Sequence, residues 1–239
     1  MPDPDALLEG ISARLIDAPH RRVGVLERSG DAASADPDAT IVFVHGDVAP
    51  ALLWQEMMLD LPSDLRVIAV DLRGAADRAR ATDGSDAGAV LDASAAVEDV
   101  RAVLDALGIA TAHLVGWSTG GAVAVQYASE SPVLSLTLQA PRSEDVDTAG
   151  LADSDHTPPV LWIHGDDDRA AASPMREALA AYTRAGGDVT EVALEGVDGV
   201  PHQERPSAFR RALLERTGYL GHHQDPAPPT EAIIIPSSN

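Results

Sequence analysis

The chain has 239 residues, of which 45% are hydrophobic and 3% aromatic, enough for one α/β domain with an aliphatic core. It has 38 acidic and 17 basic residues, and all of the basic ones are Arg. The resulting formal net charge of -21 argues against nucleic acids and acidic membranes as partners. The chain has no Cys, which excludes disulfides and thiolate chemistry, and its first residues, MPDPDALLEG, lack the basic and apolar regions of a secretory signal. No apolar run is long enough to span a bilayer, so we expect a soluble, cytoplasmic protein.

Short apolar runs alternate with longer, Ala-rich helical patterns along the chain. Strands are predicted at 21–28, 40–46, 65–74, 112–116, 133–141, 159–165 and 188–196. Helices are predicted at 51–61, 94–108, 118–130, 173–187 and 206–218, with Ser173-Pro174 opening one of them and Gly108 and Gly186 closing two others. This alternation predicts an α/β fold with a mostly parallel central sheet and helices on both of its faces.

The domain organisation predicted from composition is simple. Residues 1–220 form a single α/β domain, and residues 221–239 form a Pro-rich, flexible C-terminal tail. The apolar run AIII at 232–235 is too short for a helix or a membrane span. The alternative to a free tail is that this segment docks on the domain.

The strongest chemical signal is GWSTG, Gly116 to Gly120. This pattern directly follows an apolar strand and opens a helix, which is the context of a nucleophile elbow. A serine on such a sharp turn is held in a strained conformation, and glycines two residues before and after it avoid clashes. Ser118 is therefore the candidate nucleophile, and the competing interpretation is a Gly-rich turn in which Ser118 only caps the helix.

Two other strand ends carry polar residues. The strand at 40–46 runs into His45-Gly46, and the loop beyond it offers a backbone N–H from Asp47 or Val48 to an oxyanion, beside the N–H of Thr119. We expect His45 to orient this loop. The strand at 159–165 ends in Gly-Asp-Asp-Asp, which places a carboxylate at the carboxyl edge of the sheet or, alternatively, forms an acidic surface turn.

These motifs, in this order, resemble the α/β-hydrolase superfamily over nearly the whole chain. HGDVAP resembles the oxyanion loop, LVGWSTGGAVAVQYA the elbow, VLWIHGDDD the strand that carries the triad acid, and GVPHQERPSAF the final loop and helix. The resemblance, which is strongest to epoxide hydrolases, haloperoxidases, lactonases and esterases, implies acyl transfer by Ser, Asp and His without metal or organic cofactor. By the G-x-x-D spacing, the acid falls on Asp168.

The chain departs from the family's pattern in two places. Only 142–158 separate the strands between which many relatives insert a helical cap, so a cap of several helices is not expected. When the final loop is aligned on Pro201, Glu204 and Pro206, the family's catalytic histidine falls on Gly199. The resemblance therefore leaves the base unassigned.

Two hypotheses follow for the function. In the first, the protein is a serine hydrolase of small ester or lactone substrates, with Ser118 as nucleophile, Asp168 as acid and His202 as an unusual base. In the second, it is an impaired pseudoenzyme or binding protein that has lost its histidine. His202 lies three residues, about 10 Å of extended chain, beyond the expected position, and His222 and His223 are the other histidines that follow Asp168.

Overall fold

A single twisted sheet organises the chain. The structure, a computed structural model, describes residues 7–18, 21–28, 40–46, 50–72, 93–141, 146–166, 169–222 and 232–235, with the backbone alone for 169–173, 221–222 and 232–235. Within these residues the sheet has nine strands in the order β1-β2-β4-β3-β5-β6-β7-β8-β9. The strands are Ile11–Asp17 (β1), Arg22–Arg28 (β2), Thr40–Val44 (β3), Arg66–Asp71 (β4), His113–Trp117 (β5), Ser135–Gln139 (β6), Val160–Gly165 (β7), Val189–Leu194 (β8) and Ala232–Ile235 (β9).

The centre of the sheet is parallel and its two margins are antiparallel. Strands β4, β3, β5, β6, β7 and β8 pair in parallel, in that order. The antiparallel pairs are β1 with β2, β2 with β4 and β8 with β9. Because β3, β5 and β7 run in the same direction, the loops that follow them meet at one edge of the sheet, where ligands bind in folds of this kind. The predicted fold class is confirmed.

Helices connect the strands. A 3₁₀ turn at Ala51–Trp54 leads into the first helix, and most of the other helices connect one strand to the next. The helices are Gln55–Asp60 (α1), Ala93–Ala106 (α2), Thr119–Glu130 (α3), Thr148–Asp153 (α4), Arg169–Arg184 (α5), Pro201–Glu204 (α6), Pro206–Arg216 (α7) and Tyr219–His222 (α8). Two separate buried clusters of apolar side chains cover the faces of the sheet, one including Val42 and Val44 and the other Ile41 and Phe43. This alternation along β3 is what a strand buried on both faces produces.

The start of one helix and the presence of two strands differ from the sequence prediction. Helix α5 begins at Arg169, so Pro174 lies inside it rather than opening it. The three alanines before Ser173 have high helix propensity, which is the sequence feature that favours the earlier start. Strand β1 was not predicted, and Ala232–Ile235 of the predicted tail pairs with β8 as an edge strand. The remaining tail residues from 223 onward lie outside the described part of the chain.

One buried arginine holds the end of α1 to the sheet. The guanidinium of Arg28, at the end of β2, donates hydrogen bonds to the backbone carbonyls of Met58, Leu61, Pro62 and Leu65. The side chain is buried, and desolvation lowers its pKa from the ordinary arginine value. The carbonyls lie at the end of α1 and in the segment that leads to β4, where one planar cation satisfies several buried acceptors. The Pro62 carbonyl also accepts the N–H of Leu65.

We expect Arg28→Met to lower the free energy of unfolding by about 3 kcal/mol, because it leaves several buried carbonyls without donors. The matched control is Arg14→Met. Arg14 lies on the neighbouring strand, is exposed and pairs with Glu27, so its loss should cost less than about 1 kcal/mol. Urea unfolding of both variants measures the difference, and equal losses would contradict the role given to Arg28.

Candidate active site

Ser118 occupies a strained turn between β5 and α3. Its φ of 53° and ψ of -126° lie in a region that residues with a side chain rarely adopt. Its N–H donates to the carbonyl of Gln139 at 3.0 Å, and its carbonyl accepts the N–H of Gly121 at 2.9 Å. The hydroxyl makes no capping hydrogen bond to α3, which argues against the interpretation of Ser118 as a simple helix cap.

The two glycines of the elbow are required by close backbone contacts. A Cβ on Gly116 would lie 2.5 Å from the carbonyl oxygen of Gly120, and a Cβ on Gly120 would lie 2.4 Å from the carbonyl oxygen of His45. Real Cβ atoms do not approach backbone oxygens so closely. The elbow is therefore pressed against the end of β3, where the predicted oxyanion loop begins.

Thr119 and His45 are the described residues of the predicted oxyanion region. Thr119 is the first residue of α3 and is buried, so its N–H lies at the positive end of the helix dipole. His45 is fully buried; its Nδ1 bonds the Gly46 carbonyl at 2.5 Å, and its Nε2 accepts the N–H of Leu72 at 2.8 Å. These bonds give His45 an orienting role in the loop. Asp47 and Val48, the other predicted donors, lie outside the described residues.

The predicted acid also lies outside the described residues. Asp168 falls between β7, which ends at Gly165, and α5, which begins at Arg169. Of its neighbours, Asp166 is described, and its carboxylate accepts the N–H of Gly196 at 2.9 Å. That bond joins the loop after β7 to the loop after β8. Asp168 stays a prediction.

His202 is enclosed in a box of aromatic side chains. Its ring stacks on Trp54 with centroids 4.1 Å apart and meets Trp117 and Phe209 edge-on at 6.1 and 6.0 Å. Its Nδ1 and its backbone N–H both bond the side-chain oxygen of Gln139, at 2.9 and 2.7 Å. Its Nε2 has no hydrogen-bond partner among the described residues. Neither ring nitrogen therefore bonds Ser118.

The electrostatics of His202 also disfavour a role as base. Desolvation by burial lowers its pKa to about 3, from an ordinary value of 6.5. A general base works best with a pKa near the operating pH, since a weakly basic nitrogen draws little on the serine proton. In this structure His202 is a neutral core residue that donates from Nδ1 to Gln139.

The other described histidine side chains are also directed away from Ser118. His164 bonds the Gly165 carbonyl and Glu191, and His113 bonds the hydroxyl of Ser135. His222 lies in α8, three residues after Tyr219, whose hydroxyl bonds Asp64 immediately before β4. That contact is at the amino edge of the sheet, and the side chain of His222 lies outside the described part of the chain. His223 lies outside the described residues.

Gly199 is held beside the elbow by its backbone. The indole Nε1–H of Trp117 donates to the carbonyl of Gly199 at 2.8 Å. The carboxylate of Glu204 accepts the N–H groups of Asp198 and Val200, both at 2.8 Å, on either side of Gly199. Gly199 has φ of +97°, and a Cβ built on it would meet none of the described atoms within 4 Å.

Three residues of this site were not identified from the sequence. Gln139, Trp54 and Trp117 form the frame that joins the elbow, the final loop and the first helix. From the sequence alone, Gln139 lies near the end of a predicted strand, and Trp54 and Trp117 are two apolar positions. The scarcity of aromatic residues was the one available signal, because two of the three Trp lie together here.

A model of the α/β hydrolase fold family matches residues 39–176, which is more than half of the chain. The chain belongs to this family. Monoacylglycerol lipase abhd6-A of Xenopus laevis is 35% identical over 184 residues, which cover 70% of this chain and 50% of that protein. The chain spans 25%, 31% and 50% of the lengths of the first three curated relatives that it matches.

Solved α/β hydrolases share the fold along nearly their whole length. Proline iminopeptidase of Mycobacterium smegmatis superposes with a TM-score of 0.69 at 16% identity, covering 90% of this chain and 100% of that one. Carboxylesterase CesB of Bacillus subtilis superposes with a TM-score of 0.66 at 14% identity, covering 88% and 93%. These likenesses establish the fold. None of the helices in the described part of the chain is long and apolar enough to cross a membrane.

We expect Gly120→Ala to lower the free energy of unfolding by about 3 kcal/mol, because its methyl group would collide with backbone oxygens of Val44 and His45 at the end of β3. Gly121→Ala is the matched control. Its methyl group would meet the Cβ of Pro141 at 3.0 Å, which a small shift relieves, so we expect a loss below about 1 kcal/mol. Thermal and urea unfolding measure both, and equal effects would argue against the tight packing of the elbow on β3.

We expect the stability to depend on pH through His202. Below pH 6.5 the unfolded state binds a proton at this residue while the folded state does not, so stability is complete above that pH and is lost as the pH falls towards about 3. Compared with His202→Phe, which keeps an aromatic ring but cannot titrate, the slope between these limits should be steeper by about 1.4 kcal/mol per pH unit. Urea unfolding at pH 4, 5, 6 and 7 measures the slopes. Identical slopes would mean that His202 titrates normally in the folded protein.

Proposed function

We propose that the chain is a serine acyl hydrolase of small esters or lactones, with Ser118 as nucleophile, that turns over slowly because none of the described side chains acts as its general base. The observation that carries this proposal is the contrast between Ser118 and His202. Ser118 keeps the strained conformation of a nucleophile, whereas His202 is held by Gln139 in an aromatic box.

The conformation of Ser118 supports a role for its hydroxyl. Strained backbone of this kind costs of order 1–3 kcal/mol and concentrates at functional sites. Here the strain is maintained by two glycines at which any side chain would clash, and by the bond from Ser118 N–H to Gln139. A turn needed only to join β5 to α3 does not require it.

The remaining roles complete the acyl-transfer site in this proposal. Thr119, with Asp47 or Val48, supplies N–H groups to the oxyanion, and Asp168 is the acid. The reaction uses no metal or organic cofactor, and a small molecule is the expected partner. The names of a lipase relative and of a carboxylesterase neighbour both denote ester hydrolysis.

The lack of a base among the described side chains limits the proposed rate. A serine hydroxyl without an assisting base is a weak nucleophile near pH 7. A site that keeps its oxyanion donors and binding but loses the triad retains a rate about 10³ to 10⁴ above that in water. We expect turnover of this order.

A binding protein without turnover is the second candidate. The conformation of Gly199 favours it, because φ of +97° disfavours an L-histidine at the position where the family resemblance predicts one. A binding protein needs no histidine at this position, so a conformation that disfavours one has no functional cost.

The decisive experiment measures p-nitrophenyl acetate hydrolysis by the unaltered protein and by Ser118→Ala, Gly199→His, Gly199→Ala and His202→Phe. We expect slow turnover that Ser118→Ala abolishes and that His202→Phe leaves within about threefold. Gly199→His should raise the rate at least about tenfold, less than the full effect of a general base because the backbone is strained. Gly199→Ala carries the same strain without an imidazole and should give no gain.

Two results would contradict the proposal. Fast turnover that His202→Phe abolishes would make His202 the base, in a conformation other than the one described. The absence of Ser118-dependent hydrolysis in every variant, including Gly199→His, would favour the binding protein.

A further inference from the structure

Two buried histidines precede a glycine at the carboxyl edge of the sheet. His45 follows β3, and its Nδ1 bonds the carbonyl of Gly46 at 2.5 Å. His164 lies in β7, and its Nδ1 bonds the carbonyl of Gly165 at 2.7 Å. A carbonyl oxygen only accepts hydrogen bonds, so Nδ1 carries a hydrogen in both rings.

The second ring nitrogen of His45 meets a donor, whereas that of His164 meets an acceptor. Nε2 of His45 accepts the N–H of Leu72 at 2.8 Å, and an oxygen of Asp71 lies farther from it, at 3.5 Å. Nε2 of His164 lies 2.9 Å from a carboxylate oxygen of Glu191. A neutral imidazole offers one donor and one acceptor, so it satisfies the surroundings of His45 but not those of His164.

Glu191 is held as a carboxylate by Arg176 of α5. The guanidinium donates from Nε to one carboxylate oxygen at 3.2 Å and from a terminal nitrogen to the other. Desolvation by burial raises the pKa of Glu191, but the hydrogen bonds and charges of Arg176 and His164 outweigh it, so the pKa lies below the ordinary glutamate value. A protonated Glu191 that donates to a neutral His164 is therefore disfavoured.

The surroundings of His164 favour a positive charge on its ring. The ring centroid lies 4.2 Å from that of Trp162, and the guanidinium of Arg176 lies 5.4 Å from the same Trp162 centroid, at distances where an aromatic ring attracts cations. Among the described residues, Arg176 of α5 and Glu191 of β8 are the charged groups that contact this cluster. The strands β6 and β9 contain no titratable residue. The net charge of -21 also favours a cation over a neutral ring.

We infer that His164 is a buried imidazolium, and that its two N–H groups together fix the segment that leads from β7 towards Asp168. The charge of His164 does not depend on the proposed function, whereas its effect on turnover rests on that function. His164 is a positioning residue in this inference, because it acts through the backbone of Gly165.

The described part of this segment has little room to move. A Cβ on Gly165 would lie 2.0 Å from the carbonyl oxygen of Val197, so the backbone of Gly165 is pressed against the loop after β8. The carboxylate of Asp166 accepts the N–H of Gly196 at 2.9 Å in the same loop. A change in the direction of the Gly165 carbonyl is therefore transmitted to Asp166 and to the residues that follow it.

Loss of one proton to the solvent leaves the ring of His164 with one hydrogen for two acceptors. The bond to the ionised Glu191 is charge-assisted and is the stronger of the two, so the hydrogen stays on Nε2. The lone pair of Nδ1 then faces the carbonyl oxygen of Gly165, and these two acceptors repel each other. The Gly165 carbonyl is therefore fixed while His164 is charged and released when the ring becomes neutral.

The test records long-range ¹⁵N–¹H spectra of the histidine rings in the full chain, from pH 6 upward until the second hydrogen of His164 is lost. The rings are assigned through the backbone resonances, and the spectra distinguish a nitrogen with hydrogen from one without. At about pH 7.5 we expect hydrogen on both nitrogens of His164 and on Nδ1 alone of His45. In Glu191→Gln, whose amide donates to Nε2, His164 should show the single-hydrogen form of His45.

Glu215→Gln is the matched control. Glu215 also pairs with an arginine, Arg211 at 2.8 Å, but on the exposed surface of α7. Its replacement should leave both hydrogens on the ring of His164.

The effect on turnover is measured with p-nitrophenyl acetate at each pH, after subtraction of the rate with Ser118→Ala. The rate of the unaltered protein is divided by that of Glu191→Gln, which cancels the pH dependence that ester hydrolysis itself has. We expect this ratio to fall by at least about threefold as His164 loses its second hydrogen, because the neutral ring of the variant keeps its bond to Gly165. The same ratio taken with Glu215→Gln should stay constant.

Two outcomes overturn the inference. A single hydrogen on the ring of His164 at about pH 7.5 overturns its charge, and a constant ratio through the loss of the second hydrogen overturns its positioning role. Neither affects the assignment of Ser118 as nucleophile. The absence of Ser118-dependent hydrolysis in every protein, Gly199→His included, overturns the proposed function and the positioning role with it, while the spectra alone still decide the charge of His164.

Discussion

Gln139 is the residue on which the arrangement of the site depends. Its backbone oxygen accepts the N–H of Ser118, and its side-chain oxygen accepts two hydrogen bonds from His202. It is fully buried at the carboxyl end of β6, where the parallel sheet positions it beside Trp117 of β5. One residue, through its backbone and its side chain, thus joins the turn at Ser118 to α6.

This arrangement has a cost for catalysis. The bonds from Gln139 and the stacking on Trp54 make His202 a part of the core, neutral and enclosed. Releasing it towards Ser118 would break both bonds to Gln139 and leave a cavity among three aromatic rings, which costs several kcal/mol in a buried site.

Much of the fold followed from local pattern. The six parallel strands were each located from the sequence, because each coincides with a short segment rich in apolar residues between turn residues. Strand β1 was missed because its alternating pattern, ISARLID, includes two charges and its N-terminal surroundings are polar. The start of α5 was misplaced because proline was treated as an opening signal, although the alanines before it already favour a helix.

The elbow and the departure at Gly199 were also readable from the chain, since both depend on the spacing of residues within one short segment. The sequence by itself determined the α/β class, the strand-turn-helix context of Ser118, and the absence of a histidine at the expected position in the final loop. Only the tertiary structure decided what His202 does, because its surroundings come from Trp54, Trp117, Gln139 and Phe209, which lie 7 to 148 residues away along the chain. The environment of a titratable group is a sum over neighbours in space, and no local pattern contains it.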